Sequence, residues 1–320
     1  MRSLIFSRDR ALQLEAALTS FSRRCVDSAA VPVDVLYTAT SPHLERQYAL
    51  LARTWRGAAP VTFHRETDFR GDVLGLLGAQ DRLAGRRPPL PLRAARAAGR
   101  RTRDRLAARS DRAPYVLLLV DDAVFCRPFS LADAAAALEE RPRALGFSLR
   151  IGRNTEYCYM LDAPQRPPAF QRVTGEILAY DWTRAEHDYG YPLEVSSSIY
   201  SRARIGRILA GIGFFSPNSL EGALAQNACR WARRTPELLC FERSVAFCNA
   251  VNVVQAEFDN RAGAAAELSA PALARRFDDG LRIDTERFAG FTPDACHCEL
   301  PYSFVPAAPD APPPPDEVPA

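Results

Sequence analysis

Two adjacent aspartates follow a short apolar run about a third of the way along the chain. Val116 to Val120 are all apolar, which predicts a buried strand, and Asp121 and Asp122 come directly after it. Strands of open α/β sheets present ligands and reactive groups at their carboxyl ends. Two carboxylates there repel each other unless a cation, an arginine or solvent offsets their charge. A divalent cation shared with a substrate phosphate meets that need. The alternative is a solvated strand end with an aspartate capping the next turn.

Strand-like and helix-like patterns alternate through the first part of the chain. In order they are a strand at 4–6, a helix at 11–21, a strand at 33–38, a helix at 42–54, a strand at 61–64, a helix at 69–77 and the strand at 116–120. This alternation is typical of a doubly wound α/β fold with a parallel sheet. The aspartate pair then follows the fourth strand of that sheet.

The second half of the chain has a different pattern. Strand-like pieces occur at 144–151, 157–161, 177–180 and 193–200, helical patterns at 202–212 and 219–233, and a late strand at 244–255. Residues 305–320 are mostly proline, alanine and acidic residues, a composition that predicts a disordered tail. We therefore expect a mixed second half followed by an unfolded end.

Composition restricts the class of protein. The 320 residues are 47% hydrophobic and 25% charged, as in ordinary soluble proteins. The net charge of +3 is too small to indicate a nucleic-acid binder, although residues 82–112 contain eleven arginines and two aspartates. That segment has no aromatic residues for base stacking, so we expect no nucleic-acid partner. Its part at 92–109 predicts an exposed helix, either simply solvated or in contact with an anionic membrane surface.

The cysteines and the N-terminal residues indicate where in the cell the protein is located. Eight cysteines occur without regular pairing, and neither a secretory segment nor an apolar run long enough to span a bilayer is evident. We therefore expect free thiols and a cytoplasmic protein. The alternative is a cytoplasmic protein that contacts the inner face of the membrane peripherally through 92–109.

The motifs, taken in order, resemble the GT-A glycosyltransferases, most closely the bacterial family 2-like enzymes. The residues that carry the resemblance are Phe6-Ser7-Arg8-Asp9-Arg10 with Gln13-Leu14, Phe69-Arg70-Gly71-Asp72, Val120-Asp121-Asp122-Ala123-Val124-Phe125, Gly146-Phe147-Ser148-Leu149-Arg150, Tyr191-Pro192-Leu193, Asn218-Ser219-Leu220-Glu221 and Val251-Asn252-Val253-Val254-Gln255. The resemblance implies a single GT-A domain over 1–304. Its Rossmann-like nucleotide-binding half lies at 1–128, with the basic insertion at 82–112, and its acceptor half at 129–304.

The resemblance also implies an activity and a cofactor. Such enzymes move a sugar from a nucleotide-sugar donor to a hydroxyl of a glycan or other acceptor, here with expected inversion, and Mn²⁺ or Mg²⁺ neutralises the leaving diphosphate. Carried over, Asp122 is the direct metal ligand and Asp121 a ribose or outer-sphere metal contact. His297 is a further ligand of the metal or diphosphate, with a surface histidine as the alternative. Val120 stands where many relatives have a third acidic residue.

The resemblance places the nucleotide beside the residues that follow the first and third strands. After the first strand these are Ser7, Arg8, Asp9 and Arg10. Arginine forks onto phosphate or stacks on a base, and aspartate accepts hydrogen bonds from a base or ribose. The alternative is a charged turn in which Asp9 caps the following helix. Arg70 and Asp72 are expected to approach the nucleotide from the third strand, with solvation of a helix start as the alternative.

An inverting transferase needs a carboxylate that takes the proton of the acceptor hydroxyl. Glu221 is the candidate base and Glu194 is its rival. Asn218 and Glu221 also have the spacing of a helix capping box, which is the structural alternative. Relatives often carry an aspartate near Ser196, and this chain does not.

Two other functions compete with transfer. A catalytically silent GT-A-like binding protein within a polysaccharide assembly complex is favoured by Val120 and Ser196. A nucleotidyltransferase would need a glycine-rich phosphate loop after the first strand. Residues 7–11 contain no glycine, which counts against it.

Overall fold

Parallel strands alternate with helices in the first part of the chain, as the sequence pattern predicts. The computed structural model describes residues 1–80, 83, 113–255, 257–258 and 260–307. The strands are β1 (Arg2–Arg8), β2 (Val33–Thr38), β3 (Val61–Arg65) and β4 (Tyr115–Val120), and the helices are α1 (Ala11–Arg24), α2 (Pro42–Thr54) and α3 (Phe69–Leu76). β1 pairs in parallel with β2 and β4, and β2 pairs in parallel with β3.

The rest of the described chain extends this sheet and covers it. The strands are β5 (Ala123–Phe125), β6 (Ala144–Ser148), β7 (Tyr157–Cys158), β8 (Ala163–Pro164), β9 (Gln171–Thr174), β10 (Ile177–Asp181), β11 (Ser197–Ser201), β12 (Glu237–Phe241), β13 (Ala246–Asn249), β14 (Leu281–Ile283), β15 (His297–Cys298) and β16 (Phe304–Pro306). The helices are α4 (Leu131–Glu140), α5 (Arg202–Ala210), α6 (Pro217–Asn227) and α7 (Ala270–Asp278).

One nine-stranded sheet organises the molecule, in the order β3-β2-β1-β4-β11-β6-β12-β10-β9. The first four strands are parallel, and β11 runs antiparallel to both β4 and β6. A parallel first half joined to a mixed second half confirms the predicted α/β fold class. A smaller sheet, β15-β13-β5, sits beside the carboxyl end of β4, since β5 follows β4 after a two-residue turn.

Apolar residues cover both faces of the sheet. Leu117 and Leu119 belong to one buried cluster, whereas Val116 and Leu118 belong to another. Successive side chains of a strand point to opposite faces, so a strand buried on both faces needs a continuous apolar run. This is why residues 116–120 of β4 are all apolar.

Several predicted strands of the second half are shorter in the structure. The predicted strand at 193–200 begins only at Ser197, because Glu194 accepts hydrogen bonds from the backbone N–H groups of Ser196 and Ser197 and holds a turn there. The predicted strand at 244–255 is reduced to β13. Its pairing ends at Asn249, where the N–H of Val251 donates to the Asn249 carbonyl oxygen at 2.9 Å.

The folded chain continues past the predicted domain end at 304. β16 pairs antiparallel with β14, and the N–H of Ala307 donates to the Gly280 carbonyl oxygen at 2.7 Å. The tail therefore cannot begin at 305. Residues 308–320 and most of the basic insertion, including the predicted membrane-contacting helix at 92–109, lie outside the described residues.

All eight cysteines carry free thiols, as the sequence predicts. Seven of them are buried and Cys229 is exposed. Within the described ranges, no helix is both long enough and apolar enough to cross a membrane.

Candidate active site

A cavity of about 320 Å³ opens at the carboxyl ends of β1, β2 and β4. It brings together seven of the predicted site residues, namely Ser7, Arg8, Arg10, Asp121, Asp122, Glu221 and His297. The first half of the chain contributes its strand ends. The second half contributes the start of α6, the loop after β13, and β15. The cavity therefore lies where the two halves of the fold meet.

Asp121 is fixed by the strand beside it. β1 and β4 pair in parallel with Phe6 opposite Val120, so the residues that follow each strand are neighbours. Asp121 Oδ2 accepts hydrogen bonds from the Ser7 hydroxyl at 2.9 Å and from the Arg8 N–H at 3.2 Å. Burial raises the pKa of Asp121 to about 6; Arg10 opposes this shift and the charge of Asp122 adds to it. The aspartate is thus a buried group held by three donors when the guanidinium of Arg10 is included.

Arg10 bridges the two aspartates. Its Nη1 lies 3.1 Å from Asp121 Oδ1 and 3.3 Å from Asp122 Oδ2, and its Nη2 donates to the carbonyl oxygen of Asn252. The Arg10 N–H donates to the Tyr48 hydroxyl at 3.1 Å, and the same hydroxyl is 2.7 Å from Ser7 Oγ. Arg10 thereby supplies positive charge to the pair from within the chain.

The oxygen atoms of the aspartate pair decide how a divalent ion fits. Both oxygens of Asp121 have partners, and so does Asp122 Oδ2, whereas the buried Asp122 Oδ1 has none in the described part of the chain. Among those residues no three histidine, cysteine or carboxylate side chains are grouped as ligands of one ion. A site with one protein oxygen fits an ion that takes its other ligands from phosphate and water, as Mg²⁺ commonly does.

His297 faces a buried arginine. Its Nε2 lies 3.0 Å from Arg150 Nη1, and since arginine only donates, Nε2 is the acceptor and the proton sits on Nδ1. Burial, with the charge of Arg150 adding to it, holds the pKa of His297 well below its usual range. The structure therefore brings His297 to the cavity as a neutral, partly buried ring whose Nε2 is already engaged.

Glu221 lies on the first turns of α6, and it is not the cap of that helix. The N-cap is Ser216, whose hydroxyl accepts from the Ser219 N–H at 3.1 Å, while the Ser219 hydroxyl accepts from the Ser216 N–H at 2.8 Å. The alternative capping box of Asn218 and Glu221 is thus wrong, because the helix begins two residues earlier, at Pro217 rather than Ser219.

The carboxylate of Glu221 is therefore available for another role. Its Oε2 accepts a hydrogen bond from the Val195 N–H at 3.3 Å. Burial raises the pKa of Glu221 to about 7, and the charge of Glu194 adds to this while Arg150 opposes it. A carboxylate with a pKa near the working pH is suited to general acid–base chemistry.

Glu194, the rival acid, is enclosed by donors. It accepts from Arg150 Nη2 at 3.1 Å and from the Ser197 N–H at 3.0 Å, and also from the Ser196 N–H and the Ser198 hydroxyl. It does not line the cavity. In the structure Glu194 orders the turn before β11 and places a negative charge near Glu221.

Three other predicted residues also lie outside the cavity lining. Asp9 has a left-handed φ of +57° and accepts from both the N–H and the hydroxyl of Thr40, so it does not cap α1, whose N-cap is Arg10. Arg70 is buried and donates to three carbonyl oxygens at and beyond the end of α5. Asp72 accepts from the N–H groups that precede α3.

Sequence reasoning missed two residues of this region. Arg150 stood in a motif of the resemblance without a role, and it contacts His297, Glu194 and the Cys248 thiol. Glu66 lines the cavity, and burial raises its pKa. The sequence does contain a signal for Glu66, because this carboxylate follows β3 directly, just as Asp121 follows β4.

Comparison with known proteins yields one curated relative with significant sequence similarity. This is the bifunctional glycosyltransferase pgtA of Dictyostelium discoideum, which is 24% identical over 243 residues, or 69% of this chain. The chain spans only 27% of the length of that relative. No family model matches the chain. The sequence similarity confirms the predicted resemblance to glycosyltransferases.

Solved structures with similar folds include S. aureus TarS and a mannosyltransferase. S. aureus TarS, 14% identical, covers 77% of this chain and 36% of its own length with a TM-score of 0.41. Its residues 1–349 in complex with UDP-GlcNAc are 12% identical, covering 81% of this chain and 60% of that one with a TM-score of 0.39. The mannosyltransferase PcManGT from Pyrobaculum calidifontis, in complex with GDP-Man and Mn²⁺, is 12% identical, covering 74% of this chain and 53% of that one with a TM-score of 0.33.

Proposed function

We propose that this chain is a glycosyltransferase that moves a sugar from a nucleotide-sugar donor to a hydroxyl of a glycan acceptor. The observation that supports this most is the content of the cavity, in which Asp122 has an oxygen without a partner among the described residues and burial raises the pKa of Glu221 to about 7. Asp122 could hold the counter-ion of a leaving diphosphate, and Glu221 could take the proton of an attacking hydroxyl. The sequence similarity to a named glycosyltransferase supports the same assignment.

The donor would lie along the strand ends of the first half. Leu36, Thr38, Glu66 and Phe69 line the cavity beside β2 and β3, which are two and three strands away from β4 and the aspartates that follow it. With strands about 4.8 Å apart, this edge is roughly 14 Å long, which suits an extended ligand with a flat base at one end and phosphates at the other. We assign the base to the β2–β3 end and the diphosphate to the aspartate end.

The group that would hold a divalent ion is Asp122, through Oδ1. When bound, such an ion supplies a Lewis acid that stabilises the charge developing on the leaving diphosphate. Asp121 would position Ser7, Arg8 and Arg10 around the donor, since its oxygens accept hydrogen bonds from these three residues. His297 would contact the ligand through the part of its neutral ring that lines the cavity, because its Nε2 accepts from Arg150 and its Nδ1 is buried.

Glu221 would act on the acceptor. In its ionised form it takes the proton of the acceptor hydroxyl as that oxygen attacks the sugar carbon opposite the departing diphosphate, which inverts the configuration. Phe215, whose side chain is 70% exposed, and Asn218 line the same cavity next to α6. An aromatic face and an amide are suited to a sugar ring and its hydroxyls.

Binding and transfer are tested separately. Thermal shift with UDP, GDP, ADP and CDP, with and without Mn²⁺, should identify the nucleotide through a rise in melting temperature, because a ligand that binds only the folded state stabilises it. The matching nucleotide sugars are then offered with oligosaccharide acceptors. Failure of every nucleotide to bind would contradict the donor site.

A silent binding protein is the second candidate. It is favoured by Ser196, which lines the cavity where related enzymes often have a carboxylate nearby, and by Arg10, whose charge offsets one of the two aspartate charges. Nucleotide binding without transfer to any acceptor would select it.

A further inference from the structure

The guanidinium of Arg10 occupies the place where a counter-ion of the aspartate pair belongs. Its Nη1 lies 3.1 Å from one carboxylate and 3.3 Å from the other, and the side chain is only 9% exposed. Guanidinium stays protonated in proteins and is less strongly hydrated than an ammonium group, so it tolerates this burial. The aspartate pair therefore has a permanently charged cation beside it in the protein without ligands.

The position of this guanidinium is fixed from several directions. Arg10 is the N-cap residue of α1, and its N–H donates to the buried Tyr48 hydroxyl at 3.1 Å. Its Nη2 donates to the Asn252 carbonyl oxygen in the loop after β13. Asn252 is held in turn, because its amide donates to the carbonyl oxygen of Leu268. Arg10 is therefore built into the site from both halves of the fold and is not a surface side chain that folds over it.

The remaining coordination capacity of the pair is small. Arg10, Ser7 and Arg8 engage three of the four carboxylate oxygens, which leaves Asp122 Oδ1. A Mn²⁺ or Mg²⁺ ion needs about six oxygen ligands. An ion at Asp122 Oδ1 would also lie close to the Arg10 guanidinium, whose charge repels it.

We infer that Arg10 is the resident cation of the aspartate pair, and that a divalent ion enters this site only together with a nucleoside diphosphate. The inference rests on the proposed donor site, because the diphosphate supplies both the missing oxygen ligands and the negative charge that offsets two cations. Arg10 is a positioning residue in this account. It keeps both aspartates in place before the donor arrives and sets the order in which metal and nucleotide bind.

The test measures binding of Mn²⁺ alone, by the loss of the free-ion electron paramagnetic resonance signal. Wild-type protein should bind Mn²⁺ weakly without nucleotide, and binding should tighten when the nucleoside diphosphate found by thermal shift is added. Arg10→Met removes the charge at similar length and should bind Mn²⁺ without nucleotide at least about tenfold more tightly. The basis is that an arginine within about 4–6 Å lowers the proton affinity of a carboxylate by roughly one to three powers of ten, and Mn²⁺ competes with the same guanidinium for the same carboxylates.

Two control variants separate the site from general charge. Arg65→Met removes one positive charge at the end of β3, outside the cavity lining, where the guanidinium pairs with Glu45 at 2.7 Å, and it should leave Mn²⁺ binding in the absence of nucleotide as weak as in the wild type. Arg10→Met combined with Asp122→Asn should lose the binding that Arg10→Met gains. Circular dichroism reports whether each variant is folded. The wild-type measurement is informative even if Arg10→Met does not fold.

The outcomes distinguish this inference from the proposed function. Wild-type protein that binds Mn²⁺ alone as tightly as Arg10→Met, or as tightly without nucleotide as with it, overturns the role of Arg10. A different result would be that no nucleoside diphosphate binds, while Arg10→Met still binds Mn²⁺ more tightly than the wild type. The proposed donor site and the joint entry of metal and nucleotide would then be wrong, and the role of Arg10 as resident cation would be retained.

Discussion

Arg150 Nη2 donates to Glu194 Oε2 at 3.1 Å, and each of these two side chains is only 6% exposed. The pair lies behind the cavity and acts on Glu221 in opposite directions. Glu194 helps to raise the pKa of Glu221, and Arg150 lowers it. The Arg150–Glu194 ion pair does not line the cavity, yet it influences the proton affinity of Glu221, which does.

Loss of Arg150 should destabilise the protein. Arg150→Met leaves Glu194 buried without its cation, and removing one partner of a buried pair costs about 3–5 kcal/mol. We expect that decrease in the free energy of unfolding by urea denaturation. The double variant Arg150→Met, Glu194→Gln removes both charges and should recover part of the loss. A single variant as stable as the wild type would show that the pair is not what holds this turn.

The pH dependence of stability should report on Glu221. Its pKa is raised from the ordinary 4.5 to about 7 in the folded protein. Between these values the folded state binds more protons than the unfolded state, so this group makes the protein less stable as the pH rises. Glu221→Gln cannot titrate.

The melting temperature of Glu221→Gln relative to the wild type should therefore increase from pH 5 to pH 8. The underlying change is on the order of 1–3 kcal/mol, because one pKa unit corresponds to about 1.4 kcal/mol. Asp121 titrates in both proteins and cancels in the comparison. A difference that stays constant over this range would contradict the raised pKa.

Arg70 should contribute to stability and not to donor binding. Its guanidinium donates to the carbonyl oxygens of Leu209, Ala210 and Ile212, and hydrogen bonds to charged groups are worth about 1.5–3 kcal/mol each. Arg70→Met should lower the melting temperature and leave the nucleotide dissociation constant unchanged. Arg8→Met, at a cavity residue, should do the reverse and weaken nucleotide binding about tenfold, or 1.4 kcal/mol. Loss of nucleotide affinity in folded Arg70→Met would restore the role predicted from sequence.

Two truncations should differ in stability. Removal of 308–320 leaves β16 intact, and we expect an unchanged melting temperature and unchanged nucleotide binding. Removal of 304–320 deletes the strand that pairs with β14 and the Phe304 ring that lies 4.1 Å from the Arg276 guanidinium carbon, and it should lower the melting temperature. Equal stability of the two truncated proteins would show that β16 does not stabilise the domain and would support the predicted domain end at 304.

The first half of the fold was predictable because its signals are local. β1 and β4 contain short apolar runs, β3 alternates apolar and polar residues, and α2 spans 42–54 as predicted. Asp121, Asp122, Ser7 and Arg10 meet because parallel strands present their carboxyl ends at one edge. The sequence could therefore place these residues together without knowing their contacts.

The contacts themselves depend on residues far apart in the chain. Arg10 reaches Asn252, 242 residues away, and Arg150 reaches His297, 147 residues away. No periodicity reveals such partners. The Ser216 capping box was missed because serine at the third helical position replaces the usual glutamate, which shifted the predicted helix start by two residues.

The most direct test of the account is the turnover of Glu221→Gln. With the nucleotide sugar and acceptor identified, released nucleoside diphosphate is measured for both proteins, together with donor affinity and melting temperature. A general base contributes roughly 10²- to 10⁴-fold, so we predict a decrease of that size in kcat with donor affinity retained. Near-normal turnover in a folded, donor-binding Glu221→Gln would contradict the central claim that this cavity activates an acceptor hydroxyl through Glu221.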